Sequence, residues 1–282
     1  MNISIIIPSW NNLKYLSKCI ESIKNNSLYE HEIIIHLNEG SDGSEEYLNK
    51  INIKFTKSNA NIGICSSVNK AYKIATQNYI MYSNDDMYFS KNWDKYLKKE
   101  ILNFKDNLFY LTAKSVSKKN DIVNLDCGKN IEDFDQKKFD DYCVNDNSPN
   151  LKASHLCPFI VHKEIWSQVG GFSEEFNPGD GSDPDFCMKL WNINVRVFKC
   201  LSSFKIYHFG SITTRKENFK MNNGTKSFIL KWGFSPKFFR KYYLRSIIND
   251  VYSGPLENIK YSYKMFLDLI LDKIKYLIYK VL

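Results

Sequence analysis

Short apolar runs alternate with helical patterns over the first part of the chain. Residues 3–7 are continuously apolar, which is typical of a strand buried on both faces. Comparable runs lie at 32–37, 53–56 and 79–82, and apolar residues recur at helical spacing between them. Because this alternation is typical of parallel strands joined by right-handed crossovers, it predicts an α/β fold with a mainly parallel, doubly wound central sheet flanked by helices.

A polar loop follows each of these predicted strands. The loops occupy residues 8–12, 38–41, 59–63 and 84–86 and are rich in Asn, Ser, Asp and Gly. The carboxyl ends of parallel strands meet at one edge of a sheet, where open α/β sheets bind ligands. Turn formation alone selects the same residue types, so only the agreement of the loops favours a site. None contains GxGxxG or GxxxxGKS/T, which disfavours a dinucleotide site and a P-loop.

The loop Asn84-Asp85-Asp86 places two adjacent carboxylates at the end of a strand. Side chains alternate along extended chain, so we expect Asn84 and Asp86 to face one way and Asp85 the other. Two oxygens that face a crevice suit a divalent cation carrying phosphates. The same residues are also typical of a turn that caps the following helix, and the residues alone leave both interpretations open.

The pattern changes after an amphipathic helix predicted at 93–104. Residues 105–150 contain a predicted strand near 109–113 and then a polar stretch without a clear period, which we interpret as a long loop. Regular structure is predicted again for a helix at 163–169, a helix after Asp183-Pro184, and strands at 195–200 and 204–207. An Asp before a Pro is typical of a helix N-cap. The residues alone therefore leave two roles open for Asp183, as a helix cap or as a catalytic carboxylate.

The C-terminal segment is amphipathic and basic. Its apolar stripe, with lysines beside it, predicts a helix; the stripe consists of Met265, Phe266, Leu269, Ile270, Ile274, Leu277, Ile278 and Val281. From Arg215 onward there are 14 Lys+Arg against 5 Asp+Glu, whereas the preceding residues have 25 against 26. Such a surplus is typical of a solvated helical face, and we predict no nucleic-acid partner. Three placements of the stripe stay open: on the body, on a partner subunit of an oligomer, or peripherally on an anionic membrane surface.

The cysteines and the hydrophobic pattern bear on the compartment. The seven cysteines are odd in number, scattered and without a CxxC pair, which indicates neither a disulfide framework nor a zinc cluster and favours the reducing cytoplasm. The first strand-like run begins too close to Met1 for a signal peptide, so we expect none. No apolar run reaches the ~18 residues that a spanning helix needs.

Several short motifs occur in an order and spacing that resembles the family 2 glycosyltransferases of GT-A fold. These motifs lie within roughly residues 1–214 and are IIIPSWNN, NEGSDGS, NANIG, NDDM, GGFSEEF, GSDPDF and HFGS. The resemblance implies a Rossmann-like GT-A domain. It also implies hexosyl transfer from a nucleotide-diphosphate sugar to a hydroxyl of a glycan or glycolipid, with inversion, in polysaccharide biosynthesis. No QxxRW-like motif is present in the sequence, which argues for single additions rather than processive synthesis.

The resemblance implies a nucleotide-sugar site built from the polar loops. Its members are Pro8, Ser9, Asn11, Asn38, Glu39, Asn61, Gly63, Asn69, Asn84 and Asp85. Asn38 stands where the family commonly has an Asp near the base, so the resemblance does not identify the nucleotide. Asn84 takes the first position of the DxD-type signature and offers an oxygen without a charge.

The resemblance also implies the catalytic residues. Asp86 is the expected ligand of Mn²⁺ or Mg²⁺, and His208 matches a histidine that helps to hold the metal or diphosphate, so the two should meet in space. A cation stabilises the charge that develops on the departing diphosphate. A carboxylate must take the proton of the acceptor hydroxyl. Asp183 matches the position of that base, and Asp185 is the nearby alternate.

We predict three segments and keep two alternative functions open. Residues 1–114 are expected to form the nucleotide-sugar-binding half, residues 115–214 the acceptor-binding half, and residues 215–282 a basic helical extension. A nucleotidyltransferase would use a similar sheet and metal without a base at Asp183, but its usual glycine-rich first loop does not match PSWNN. A catalytically inactive nucleotide-sugar-binding or scaffold protein would keep the fold without the transfer.

Overall fold

A computed structural model of the chain describes residues 2–119, 121–153, 157–210, 220–246 and 250–281. The strands are β1 (Ile3–Trp10), β2 (Glu32–Asn38), β3 (Lys54–Ser58), β4 (Tyr79–Tyr82), β5 (Met87–Phe89), β6 (Phe109–Ser117), β7 (Val123–Asn124), β8 (Leu151–Lys152), β9 (Phe159–His162) and β10 (Val197–His208). The helices are α1 (Leu13–Asn26), α2 (Ser44–Lys50), α3 (Ile64–Tyr72), α4 (Trp93–Leu102), α5 (Gln136–Asn145), α6 (Lys163–Val169), α7 (Ser182–Asn192), α8 (Gly224–Trp232), α9 (Pro236–Phe238) and α10 (Tyr263–Val281).

One mixed sheet organises the chain. Its strand order is β3-β2-β1-β4-β9-β6-β10-β5, with β7 beside β6 and β8 beside β10. The pairs among β3, β2, β1 and β4 are parallel, and so is the pair of β6 with β10. Strand β9 runs antiparallel between β4 and β6, and β5 runs antiparallel to β10. The predicted α/β class with a mainly parallel central sheet is confirmed.

Both faces of the central strands are buried, which explains their continuous apolar runs. In β1, Ile3, Ile5 and Ile7 belong to one hydrophobic cluster, whereas Ile6 belongs to the cluster on the opposite face. Helices α1, α2 and α4 contribute to the first cluster, and helices α3, α6 and α7 to the second. Helices therefore cover the sheet on both sides, as expected for right-handed crossovers.

Two parts of the second half differ from the prediction. The strands predicted at 195–200 and 204–207 form the single strand β10, whose register against β6 shifts between Leu201 and Lys205. Two serines interrupt the apolar pattern at this irregularity, which made one strand resemble two. The predicted long loop contains α5, whose one buried residue is Phe139. With so little apolar surface, α5 has no stripe that would predict a helix.

The C-terminal helices share the core of the sheet. Phe228 of α8, Phe238 of α9 and Met265 of α10 are buried in the same cluster as Ile6. The boundary predicted between residues 214 and 215 lies outside the described residues. Helix α10 confirms the predicted C-terminal helix. None of the helices in the described ranges combines the length and apolar character needed to traverse a bilayer.

Candidate active site

A buried hydrogen bond joins the first loop to the fourth. Ser9, near the end of β1, donates its hydroxyl to Oδ2 of Asp85 at 2.6 Å, and both residues are buried. Because β1 and β4 are adjacent parallel strands, their carboxyl ends place the two loops side by side. The predicted convergence of these loops at one sheet edge is therefore confirmed.

The second loop contacts the first next to Pro8 and Ser9. Asn11 donates from Nδ2 to Oε2 of Glu39 at 3.1 Å, and its Oδ1 accepts from the backbone amide of Ser41 at 2.9 Å. Asn11 and Glu39 have φ angles of 45° and 67°, a left-handed region in which Asn is enriched. These contacts hold a polar surface at the carboxyl end of β1.

The chain turns at Asp85 and Asp86 instead of continuing as a strand. Asn84 accepts a hydrogen bond on Oδ1 from the hydroxyl of Tyr82 at 2.8 Å, whereas Asp85 is directed toward Ser9 of β1. Asp85 is thus directed toward β1, and a ligand shared by Asn84 and Asp86 stays a prediction.

Asp86 faces His208 across the end of the sheet. Strand β5 begins immediately after Asp86 and pairs with β10, so that Met87 lies opposite His208. The backbone amide of Phe209 donates to the carbonyl oxygen of Asp86 at 3.1 Å. Nε2 of His208 lies 3.5 Å from Oδ1 of Asp86. The predicted meeting of these residues is confirmed, while their role toward a metal stays a prediction.

The surroundings of Asp86 fit a cation. Its Oδ1 is buried and has no hydrogen-bond partner among the described residues. Burial lowers the pKa of His208, but the charge of Asp86 and the contact with Asp121 raise it to about 10, so a metal on Nε2 would displace a proton. The described part of the chain holds no group of three or more His, Cys, Asp or Glu placed for a metal. Mg²⁺ sites typically combine one or two protein carboxylates with substrate phosphates and water, and Asp86 offers one such carboxylate.

Asp121 is a site residue that the sequence did not indicate. Its Oδ2 lies 3.2 Å from Nδ1 of His208, on the side of the imidazole away from Asp86. A carboxylate in this position fixes the ring orientation and the tautomer of a histidine ligand. Asp121 lies in the stretch interpreted as a long loop, where no spacing or motif connects it with His208.

Asp183 is the second residue of α7. The helix N-cap is Gly181, with φ 86° and no side-chain cap, so the capping interpretation of Asp183 was wrong. The Asp183 carboxylate is half-buried and has no hydrogen bond within the described residues. Burial raises its pKa to about 7. A carboxylate with this property can both accept and release a proton near neutral pH.

Asp183 and Asp86 both lie close enough to Tyr82 for their charges to act on its phenol. Burial raises the pKa of Tyr82, and the charges of Asp183 and Asp86 are among the groups that raise it further. The hydroxyl of Tyr82 is also the donor to Asn84. One phenol therefore lies within the influence of both the proposed base and the proposed metal ligand.

Asp185, the alternate base, is held by the fold. It is buried, and its Oδ2 accepts from the hydroxyl of Ser173 at 2.6 Å. Its Oδ1 accepts from Nε1 of Trp232 at 2.8 Å and pairs with Nζ of Lys231 at 2.8 Å. With its oxygens committed in this way, Asp185 is placed to anchor α8 on α7, whereas Asp183 keeps its carboxylate available.

Two predicted donor-site residues use their side chains within the fold. Asn38 is buried; its Nδ2 donates to the hydroxyl of Ser67 at 3.0 Å, and its Oδ1 accepts from the backbone amide of Ile62 at 2.9 Å. Asn69 donates to the carbonyl of Phe172 at 2.8 Å and accepts from its amide at 3.0 Å. Both asparagines thus tie α3 to neighbouring loops, and their contact with a donor stays a prediction.

Gly63 and Asn61 shape the third loop. Gly63 has φ +83°, and a Cβ there would lie 2.3 Å from Oδ1 of Asn177, so a close approach requires glycine. Asn61 accepts on Oδ1 from the Gly63 amide at 2.9 Å. Asn177 in turn accepts from the amide of Cys65 at 3.1 Å in the first turn of α3. The structure places these residues beside the sheet edge, and their donor contacts also stay predictions.

Comparison of the sequence with protein families and curated proteins gives two findings. A protein-family model, described as glycosyl transferase family 2, matches residues 4–154, which are more than half of the chain. A hyaluronan synthase from Pasteurella multocida is 24% identical over 229 residues, which are 78% of this chain and 22% of that protein. The chain thus spans about a fifth of the length of this curated relative.

Solved structures of low sequence identity share the fold. Residues 1–349 of S. aureus TarS, in complex with UDP-GlcNAc, are 18% identical with a TM-score of 0.54, covering 75% of this chain and 61% of that chain. GalNAc-T7 with UDP, GalNAc and Mn²⁺ is 13% identical with a TM-score of 0.61, covering 85% of this chain and 50% of that chain. The two likenesses confirm the GT-A fold class.

Proposed function

The chain belongs to glycosyl transferase family 2, and from that premise we propose that it transfers a sugar from a nucleoside-diphosphate sugar to a hydroxyl acceptor with inversion. The observation that carries the proposal is that the charges of Asp183 and Asp86 both act on one buried phenol, that of Tyr82. Asp183 is the half-buried carboxylate whose pKa is raised to about 7. A displacement needs a proton acceptor on one side of the sugar and charge stabilisation on the other.

The donor is proposed to bind at the carboxyl ends of β1, β2 and β4. Ser9 and Asp85 are already connected there by a hydrogen bond, and Asn11 and Glu39 form the neighbouring contact. The likeness to TarS with UDP-GlcNAc and to GalNAc-T7 with UDP supports this placement. Because the base-reading position holds the internally bonded Asn38, the identity of the nucleotide is left to experiment.

Asp86 and His208 are proposed to hold a divalent cation, with Asp121 orienting His208. Oδ1 of Asp86 is buried and makes no hydrogen bond among the described residues, and Nε2 of His208 approaches it to 3.5 Å; both observations support this assignment. When bound, Mn²⁺ or Mg²⁺ supplies a positive charge beside the departing diphosphate. The chain's own contribution is to orient the two ligands from a turn and a strand end that are hydrogen-bonded to each other.

Asp183 is proposed to take the proton of the acceptor hydroxyl. Attack on the anomeric carbon forms the new C–O bond as the bond to the diphosphate breaks, and the hydroxyl proton passes to the Asp183 carboxylate. A single displacement of this kind inverts the configuration. Asp185 is disfavoured as base because Ser173, Trp232 and Lys231 occupy its oxygens.

The acceptor is proposed to be a glycan or glycolipid in polysaccharide biosynthesis. The similarity to a hyaluronan synthase supports this class, although the matched part is about a fifth of that protein. We place the reaction in the cytoplasm, since all seven cysteines lie in described residues and are free.

Titration calorimetry of the full chain with UDP-, GDP- and dTDP-sugars, with and without Mn²⁺ or Mg²⁺, tests the proposal. One donor is expected to bind in a cation-dependent manner and, in a separate assay in which a glycan hydroxyl or water accepts the sugar, to release its nucleoside diphosphate. A CMP-sugar, which has a single phosphate, is the control. Absence of binding by every sugar nucleotide would refute the transferase, and release of pyrophosphate from a nucleoside triphosphate would instead identify a nucleotidyltransferase.

A further inference from the structure

Helix α10 has one face that is fixed to the body. Met265 and Asp272 are each 4% exposed, and Met265 is part of the core cluster that contains Ile6. Asp272 accepts from the amide and the hydroxyl of Ser235 at 2.8 and 2.6 Å, at the start of α9. The helix is thus attached to the rest of the chain by specific contacts along one side.

The opposite face of α10 is apolar and exposed. Its members are between 39% and 88% exposed and are Phe266, Leu267, Ile270, Leu271, Ile274, Leu277, Ile278 and Val281. At about 100° per residue these side chains fall within an arc of about 140°. In the rest of the described residues, exposed large apolar side chains do not form a stripe of this length, and a contiguous exposed apolar face of this kind indicates a binding surface.

Lysines border this apolar face on both sides. Lys264 and Lys275 project at one margin, and Lys273 and Lys280 at the other. The ammonium groups of Lys273 and Lys280 lie 5.7 and 5.9 Å from the ring of Tyr276, on the body side of the margin. Their aliphatic stems can therefore follow the apolar face while the charges stay in water.

The two acidic residues of α10 point away from the exposed face. Asp272 is bonded to Ser235, and Asp268 accepts from the hydroxyl of Tyr242 at 2.6 Å and pairs with Nζ of Lys241 at 2.5 Å. A cavity of about 210 Å³ lies beside them between α9 and α10, where Lys237, Lys241 and Lys275 contribute positive charge. Lys275 is paired with Asp272 at 3.0 Å, so the positive charge at the margins of the apolar face comes from Lys264, Lys273 and Lys280.

We propose that the exposed face of α10 binds the headgroup–acyl boundary of a membrane that contains anionic lipid. A wide apolar face bordered by lysines is the arrangement of a helix that lies in the plane of the membrane surface. Basic residues near such a surface add electrostatic attraction to anionic lipid headgroups. A second copy of this chain fits less well, because joining two such faces would bring the like charges of their lysine margins together.

Co-sedimentation of the full chain with liposomes tests this proposal, which does not depend on the transfer chemistry. Binding is expected to vesicles of phosphatidylcholine with 30–40% phosphatidylglycerol, a composition chosen for about one charged lipid in three, and to fall with salt because surface charges are screened. Vesicles of phosphatidylcholine alone are expected to bind at least tenfold more weakly. Failure of the wild-type chain to sediment with anionic vesicles at low salt would overturn the proposal.

Matched substitutions locate the binding face. Leu277→Glu, at a position 61% exposed, is expected to weaken vesicle binding at least tenfold, whereas Leu102→Glu, at a position 70% exposed on α4, leaves it unchanged. Both positions are exposed, so both variants should fold, and unchanged thermal unfolding checks this. Equal losses in both variants would contradict the assignment to α10. A concentration-dependent dimer that Leu277→Glu dissociates, without vesicle binding, would assign the face to a second copy.

Discussion

Nε2 of His208 lies 3.5 Å from Oδ1 of Asp86, and the pairing of β5 with β10 produces this approach. Asp86 belongs to the turn that ends β4, and His208 is the last residue of β10. Because the amide of Phe209 also bonds to the carbonyl of Asp86, backbone and side chain are aligned by the same strand pair. A cation site built in this way depends on the sheet more than on loop conformation.

Replacing Asp86 tests the cation assignment directly. Asp86→Ala is expected to reduce donor affinity in Mn²⁺ to the value measured without a cation, because it removes the buried oxygen that faces His208. Calorimetric titration with the donor that binds wild type gives the measurement. Asp141→Ala, an exposed position on α5, is the control. Retention of full cation dependence in Asp86→Ala would disprove the assignment.

Asp121 is expected to act through His208. Asp121→Asn keeps the size of the side chain but removes the charge beside Nδ1, and should weaken Mn²⁺ binding about 10- to 100-fold. Electron paramagnetic resonance of free Mn²⁺, with donor present, measures this affinity apart from turnover. Asp126→Asn in the same region, more than half exposed, should have no effect. Equal Mn²⁺ affinity in Asp121→Asn and wild type would mean that Asp121 only supports the loop.

Asp183 should separate binding from chemistry. Asp183→Asn is expected to keep donor affinity and to lower the transfer rate by about 10²- to 10⁴-fold, the usual contribution of a general base. In the wild type, the pKa of about 7 predicts a transfer rate that rises with pH through neutrality, since the carboxylate must be ionised. Rapid-quench transfer assays from pH 5.5 to 8.5 check both expectations. Unchanged turnover in Asp183→Asn would move the base to another residue.

The two carboxylates of α7 should have opposite effects on stability. Because the pKa of Asp183 is higher in the folded state than its ordinary value of 3.8, folding favours the protonated form, and stability is lost as pH rises through about 7. Asp183→Asn should therefore raise the melting temperature at pH 8 and change it less at low pH. Asp185→Ala should lower stability by about 3 kcal/mol, because it leaves buried donors without their charged partner. Thermal unfolding at both pH values distinguishes the pair.

The fold of the first half could be predicted because strands buried on both faces leave continuous apolar runs, as β1 does with Ile6 and Ile7 facing opposite clusters. Helix α5 could not be predicted from the sequence, since Phe139 is its one buried residue and a helix without an apolar stripe leaves no periodic pattern. The approach of Asp86 to His208 followed from the resemblance, whereas Asp121 lay outside every motif. Asn69 shows the reverse: it matched a motif, but its amide is bonded to the backbone of Phe172.

The hydrogen bond from Trp232 to Asp185 connects the helix of the proposed base to α8, and α8 packs against α10. Asp183 lies two residues before Asp185 on α7, so contacts through α8 connect it to α10. If α10 lies on a membrane surface as proposed, these contacts would hold Asp183, the proposed base, at a set distance from the lipid. Acceptors would then be selected by their length, because only a glycan whose end lies at that distance from the membrane could be extended.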